Sequence, residues 1–168
     1  PGSAIWAPGP LDELNERYVQ NPDLGEGSFE TKLQGQLDGA SPEAIQLMAE
    51  ALFVYFLPAR WNISGATKRT KINEILSWIP DGPSLPLDLA RITDEGVGSG
   101  GPGFHLYKWA SLSFLLAFAR RWKLADATTR EAALADPWKF REFVAKIPTD
   151  GGGIYGRESL LHIMFPDT

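Results

Sequence analysis

The sequence predicts an all-α protein, a single compact domain of about seven or eight helices around a buried central helix. Three observations carry this expectation. Apolar residues recur at spacings of three and four along most of the chain, the period that puts side chains on one face of a helix. A hydroxyl or carboxylate residue followed by proline heads two of these stretches; its oxygen caps free backbone N–H groups, and proline has no N–H to leave unpaired there. No stretch alternates with period two for long enough to make a strand, and there is no internal repeat.

In chain order, Leu11, Leu14, Tyr18 and Val19 recur at helical spacing after Pro10, and Asn21-Pro22-Asp23 stops that segment. Phe29, Leu33 and Leu37 form a second, short stripe bordered by Gly25, Gly27 and Gly39. Ser41-Pro42-Glu43 joins a hydroxyl cap, a first-position proline and a first-turn carboxylate. Beyond it Ile45, Met48, Ala49, Leu52, Phe53 and Phe56 share one face while Leu47, Val54 and Tyr55 fill others, so this helix should be buried on most sides and end at Pro58. Thr67–Trp78 follows with Ile72, Ile75, Leu76 and Ile79 on one face, closed by Pro80-Asp81-Gly82-Pro83.

Residues 80–103 read as a Gly/Pro-rich loop, relieved only by a short turn at Leu87–Ile92. Phe104–Lys123 is the longest helical stretch, apolar all round in its middle, and is the expected central helix. Thr128 and Glu131 have capping-box spacing, and Asp136-Pro137 repeats the cap-then-proline start. Trp138–Ile147 should pack Trp138, Phe140, Phe143, Val144 and Ile147; a last helix, Tyr155–Phe165, carries Leu160, Leu161, Ile163, Met164 and Phe165. Pro1-Gly2-Ser3 reads as the scar of a cleaved expression tag, which leaves 4–168 as one helical domain.

Composition narrows the function classes. With 168 residues the chain suits one well-buried core. The absence of cysteine excludes a disulfide scaffold, thiolate zinc sites and cysteine nucleophiles, and fits a cytoplasmic setting. Its apolar runs fall well short of the roughly 20 residues a membrane span needs, so no membrane partner is expected. Sixteen Lys and Arg against 21 Asp and Glu give a net charge of −5, so any anion-binding surface must be a local patch on an acidic body.

Gly96–Gly101 spells G-V-G-S-G-G and formally satisfies the dinucleotide pattern G-x-G-x-x-G. That pattern needs a hydrophobic strand before it, and Asp88–Glu95 offers none, while Asp94 and Glu95 would repel a phosphate. Read as a phosphate-binding loop, Gly98–Gly103 is followed by Phe104 and His105 where Lys and a hydroxyl are required. The segment 94–103 is therefore expected to be a connector. His105 and His162 are the only histidines, which excludes a multi-histidine metal site; His162, inside L-L-H-I-M-F, reads as a core residue. No nucleophile elbow or marked carboxylate pair appears, so no catalytic residues are expected.

The informative charges are Thr67, Lys68, Arg69 and Lys71, at the head of a predicted helix, where the macrodipole disfavours cations. Cations, hydroxyls and free N–H groups together form a candidate phosphate cradle, set against the plainer reading of a solvated face. Arg120, Arg121 and Lys123 close the central helix, where the dipole favours cations; they extend a nucleic-acid face only if the two runs lie side by side with Trp61, Trp122 or Trp138 exposed between them.

Several phrases taken in order resemble the N-terminal region of McrB-like AAA-family ATPases and GTPases: Asn21-Pro22-Asp23-Leu24-Gly25-Glu26-Gly27-Ser28-Phe29, L-x-x-Q-L-x-G-A-S-P-E, Thr67-Lys68-Arg69 leading to Ser77-Trp78, Gly96-Val97-Gly98-Ser99, Tyr107-Lys108-Trp109, Asp136-Pro137-Trp138, and Leu160–Asp167. The resemblance implies an N-terminal domain serving a AAA+ motor, expected after Thr168, in modification-dependent restriction of foreign DNA. ATP or GTP with Mg would belong to that motor; this segment carries no Walker motif and no cofactor is expected in it. Two functions follow. The first is target recognition of DNA, plain or modified, in anti-phage defence, through the two basic runs. The alternative is an interaction or assembly domain that recruits a nuclease or other protein partner, or senses a phage protein, for the same motor; the acidic charge and the aromatic content favour it.

Overall fold

Nine α-helices and one π-helical turn, with no strand, make up the residues that a computed structural model describes, 5–59, 63–94, 106–148 and 153–166. The all-α expectation holds, and the ninth helix is the expected turn at Leu87–Ile92, which closes into a short helix of six residues.

Helix α1, Pro8–Leu14, runs straight into the π-helical turn Asn15–Val19, burying Leu11, Leu14 and Tyr18. Helix α2, Phe29–Gln36, is capped by Ser28, whose hydroxyl accepts from the Thr31 N–H at 3.1 Å. Helix α3, Pro42–Phe56, starts where Ser41-Pro42 predicts and is the most deeply buried, with Ala44, Leu47, Met48, Ala51 and Leu52 all at most 2% exposed. Helix α4, Gly65–Leu76, and α5, Leu87–Ile92, follow. Then come α6, Lys108–Leu124, α7, Ala127–Ala135, α8, Pro137–Ala145, and α9, Gly153–Met164.

Two apolar clusters meet at α6. The larger gathers α1, α2, α3 and α4 with Leu112, Leu116 and Ala119. The smaller holds Phe114, Ala133, Phe140, Phe143, Val144 and Ile147. Phe114, Phe118 and Trp122 recur every fourth residue, so they share one side of α6 and stack in sequence, with ring centroids 6.4 and 5.9 Å apart. Phe140 and Phe143 stand edge-on to this stack. A helix that feeds two cores from opposite sides has to be apolar on both, which is why its middle reads apolar all round.

Three local expectations are corrected. Helix α7 is capped by Asp126, which accepts from the Thr129 N–H at 2.8 Å, so Thr128 and Glu131 form no capping box. His162 lies exposed on α9 rather than in the core. Trp138 is 70% exposed because the packing face of α8 is set by Phe140, Phe143 and Val144 instead.

Glu13 fastens α1 to the head of α3, accepting from the Ser41 N–H at 3.0 Å and the Ser41 hydroxyl at 2.6 Å, while Arg17 donates to it at 3.1 Å. Burial alone would raise the Glu13 carboxyl; the Ser41 hydrogen bonds and the Arg17 charge outweigh it and hold the group below its ordinary value. A carboxyl depressed in the fold supports stability above its unfolded value of 4.5 and loses that support as pH falls through the folded value. The urea midpoint should therefore drop below about pH 4.5, and Glu13→Gln should flatten that drop. An acid limb unchanged by the substitution would rule Glu13 out as a contributor.

Candidate functional site

The predicted phosphate cradle is the head of α4. Ser64 caps it, accepting from the Thr67 N–H at 3.1 Å, with the two hydroxyls 2.8 Å apart. Because the helix begins at Gly65 and not at Thr67, Lys68 only closes the first turn, where the macrodipole acts most strongly, and Arg69 and Lys71 fall beyond it. The apparent misplacement of cations at a helix head is thereby largely removed.

Each cation of this run is taken up internally. Lys68 is 1% exposed and its ammonium donates to the Ala59 carbonyl. Burial pushes its pKa below the ordinary lysine value, with the Asp94 charge offsetting part of that shift. Arg69 Nη1 donates to Asp94 Oδ1 at 2.6 Å, Thr93 Oγ1 at 3.0 Å and the Ala90 carbonyl at 3.3 Å. Lys71 pairs with Glu30, which also draws Lys108 Nζ to 3.4 Å; Lys108 in turn lies over the Phe29 ring, 4.4 Å from its centroid.

Asp94 lies so close to the first turn of α4 that a Cβ on Gly65 would come within 1.9 Å of its Oδ1. The anion expected at this helix head is the protein's own carboxylate. Thr67 serves the cap, Lys68 is out of reach of an external phosphate, and Arg69 and Lys71 already face carboxylates.

The second run divides. Arg120 pairs with Asp12 at 2.6 Å and ties α6 to α1. Arg121 lies over the Phe143 ring, 5.3 Å from its centroid, and donates to the Lys146 carbonyl at 3.4 Å. Lys123 is exposed with no partner among the described residues. The two runs do not share a face. Lys108 marks the α4 end of α6, and Arg121 and Lys123 follow it by roughly 20 Å at the rise of an α-helix. Trp122 is half-buried in the aromatic stack, and Trp61 lies outside the described residues, as do His105 and the glycines 96–103.

The cations carried by the end of α6, α7 and α8 are differently disposed. Lys123, Arg130, Lys139, Arg141 and Lys146 have no carboxylate partner among the described residues. The four carboxylates on α7, α8 and their caps, Asp126, Glu131, Asp136 and Glu142, stand against six Lys and Arg in residues 121–148, so this segment is net positive even with the capping aspartates counted. The polarity is visible along the chain, since residues 1–119 carry eight Lys and Arg against fourteen Asp and Glu, and residues 120–168 eight against seven.

Within this region a groove of about 270 Å³ opens between the end of α6 and α7, lined by Trp122, Lys123, Ala127, Arg130, Glu131 and Leu134. Leu124, Leu134 and Trp138 are 57, 49 and 70% exposed on the same three helices. Arg130 and Leu134 are absent from the sequence-predicted site. The signal that points to them is a single cation, Arg130, on a short helix, and it gains meaning only when the corner Leu124–Ala127 folds α7 back beside Trp122.

No group of three or more His, Asp or Glu residues is arranged to hold a metal among the described residues, and no described helix is long and apolar enough to cross a membrane. No protein-family model, curated protein or solved structure matches the chain.

Proposed function

We propose that this chain is a docking domain that recruits a protein partner. The observation that carries the reading is the contrast between its two charged regions. The cations at the α4 head are consumed by internal acceptors, whereas Lys123 and Arg130 remain without carboxylate partners in a groove shared with Trp122 and exposed Leu134. Leucine side chains give nothing to a phosphate backbone, but Trp, Arg and Leu side by side are the ingredients of a protein interface. DNA recognition through Lys68, Arg69 and Lys71 loses its main support, and the net charge of −5 adds a general repulsion. In the setting that the McrB-like resemblance implies, such a domain would bring a nuclease or another protein to a AAA+ motor.

Selection of displayed random peptides against the whole chain, paired with fluorescence anisotropy on single- and double-stranded DNA, plain and cytosine-modified, separates the alternatives. The docking reading expects a recurrent peptide motif and no DNA binding at near-physiological salt. DNA binding that falls steeply with salt, without any enriched peptide, would transfer the function to nucleic-acid recognition.

A further inference from the structure

The geometry points to an acidic, amphipathic segment of a partner protein as the occupant of the groove between α6 and α7. The inference rests on the docking reading and names the class of ligand. The groove is two-sided in its chemistry. Trp122, Ala127 and Leu134 supply an apolar wall, and Leu134 remains 49% exposed, so apolar surface is available for an aliphatic or aromatic anchor. Lys123 and Arg130 supply positive charge at the same groove, and neither is satisfied by a carboxylate among the described residues.

Glu131 is the single acid of the lining. The neighbouring Asp126 and Asp136 spend their oxygens on the caps of α7 and α8. Both keep their negative charge, yet residues 121–148 still carry six Lys and Arg against four Asp and Glu, a positive balance on a molecule whose first 119 residues are strongly acidic. An acidic segment would be repelled by most of the surface and drawn to this corner, which fixes where it lands as well as what it is. A basic segment would meet the reverse field, and a neutral one would keep only the apolar contact. A nucleic-acid strand would satisfy the cations but leave Leu134 unused.

The test uses the whole chain and three fluorescein-labelled amphipathic peptides with the same Leu-Trp apolar face and an all-Glu, all-Gln or all-Lys polar face. The all-Glu peptide should bind about tenfold more tightly than the all-Gln peptide, the preference shrinking with added salt, and the all-Lys peptide should not bind. Leu134→Asp should weaken the all-Glu peptide about tenfold or more. Lys123→Glu combined with Arg130→Glu should reverse the preference towards the all-Lys peptide. Lys123 and Leu134 are exposed and Arg130 is half-buried, and none belongs to either core cluster, so circular dichroism should show unchanged helicity in these variants. Equal binding of the Glu and Gln peptides, or binding indifferent to Leu134→Asp, would overturn the groove assignment while leaving docking elsewhere intact. Failure of all three peptides, with displayed-peptide selection still yielding a binder, would overturn the ligand class alone. A single-stranded oligonucleotide binding through Lys123 and Arg130 in place of the peptides would overturn both readings.

Discussion

Phe140→Ala should cost about 3–5 kcal/mol, the largest loss expected of any single truncation in the smaller cluster. Phe140 is 1% exposed and its ring lies 6.1 Å from Phe118, 6.3 Å from Trp122 and 5.6 Å from Phe165, so its removal strips partners from three aromatic rings at once. The cluster has six buried members among the described residues, few to absorb the cavity by collapse. The loss should also be local. Hydrogen exchange should show α7 and α8 opening well before α3, whose buried residues belong to the other cluster. Because Trp122 and Leu134 line the groove from this side, the all-Glu peptide should lose affinity in step with that opening. Uniform loss of protection across all helices would instead mean that the two clusters fold as one cooperative unit.

Lys68→Ala should destabilise by about 1–3 kcal/mol, since it leaves the buried Ala59 carbonyl without its donor and removes the packed stem. Lys68→Met restores the stem without the donor, so it should recover part of the loss. Neither substitution should change peptide binding, because the α4 head is separate from the groove. Stability unaffected by Lys68→Ala, together with weakened DNA binding, would restore this lysine to a nucleic-acid site.

How far the sequence was readable depends on the range of each interaction. Ser41-Pro42 and Asp136-Pro137 declare their helix starts because cap and proline act within a single turn. The head of α4 is less legible, since Gly65 is a weak helix former and hides the cap at Ser64. The fate of Lys71 is beyond local reading altogether: its carboxylate, Glu30, is 41 residues away, and Arg69 reaches Asp94 across 25. A basic run read without those partners looks available when it is not. The groove fails to announce itself for the same reason. Trp122 and Leu134 are twelve positions apart on two helices, and only the corner between α6 and α7 brings them to one cavity. His162 shows the complementary error, since an apolar neighbourhood in sequence places a residue on a helix without saying which face it occupies.

Backbone amide chemical-shift mapping tests the central claim most directly, with the isotope-labelled chain titrated in turn with the all-Glu peptide and a single-stranded oligonucleotide. The docking account predicts that the peptide shifts amides from Arg121 to Trp138 and leaves Ser64 to Lys71 still, while the oligonucleotide moves neither set. Shifts at Lys68, Arg69 and Lys71 on adding the oligonucleotide would contradict it and return the binding surface to the α4 head.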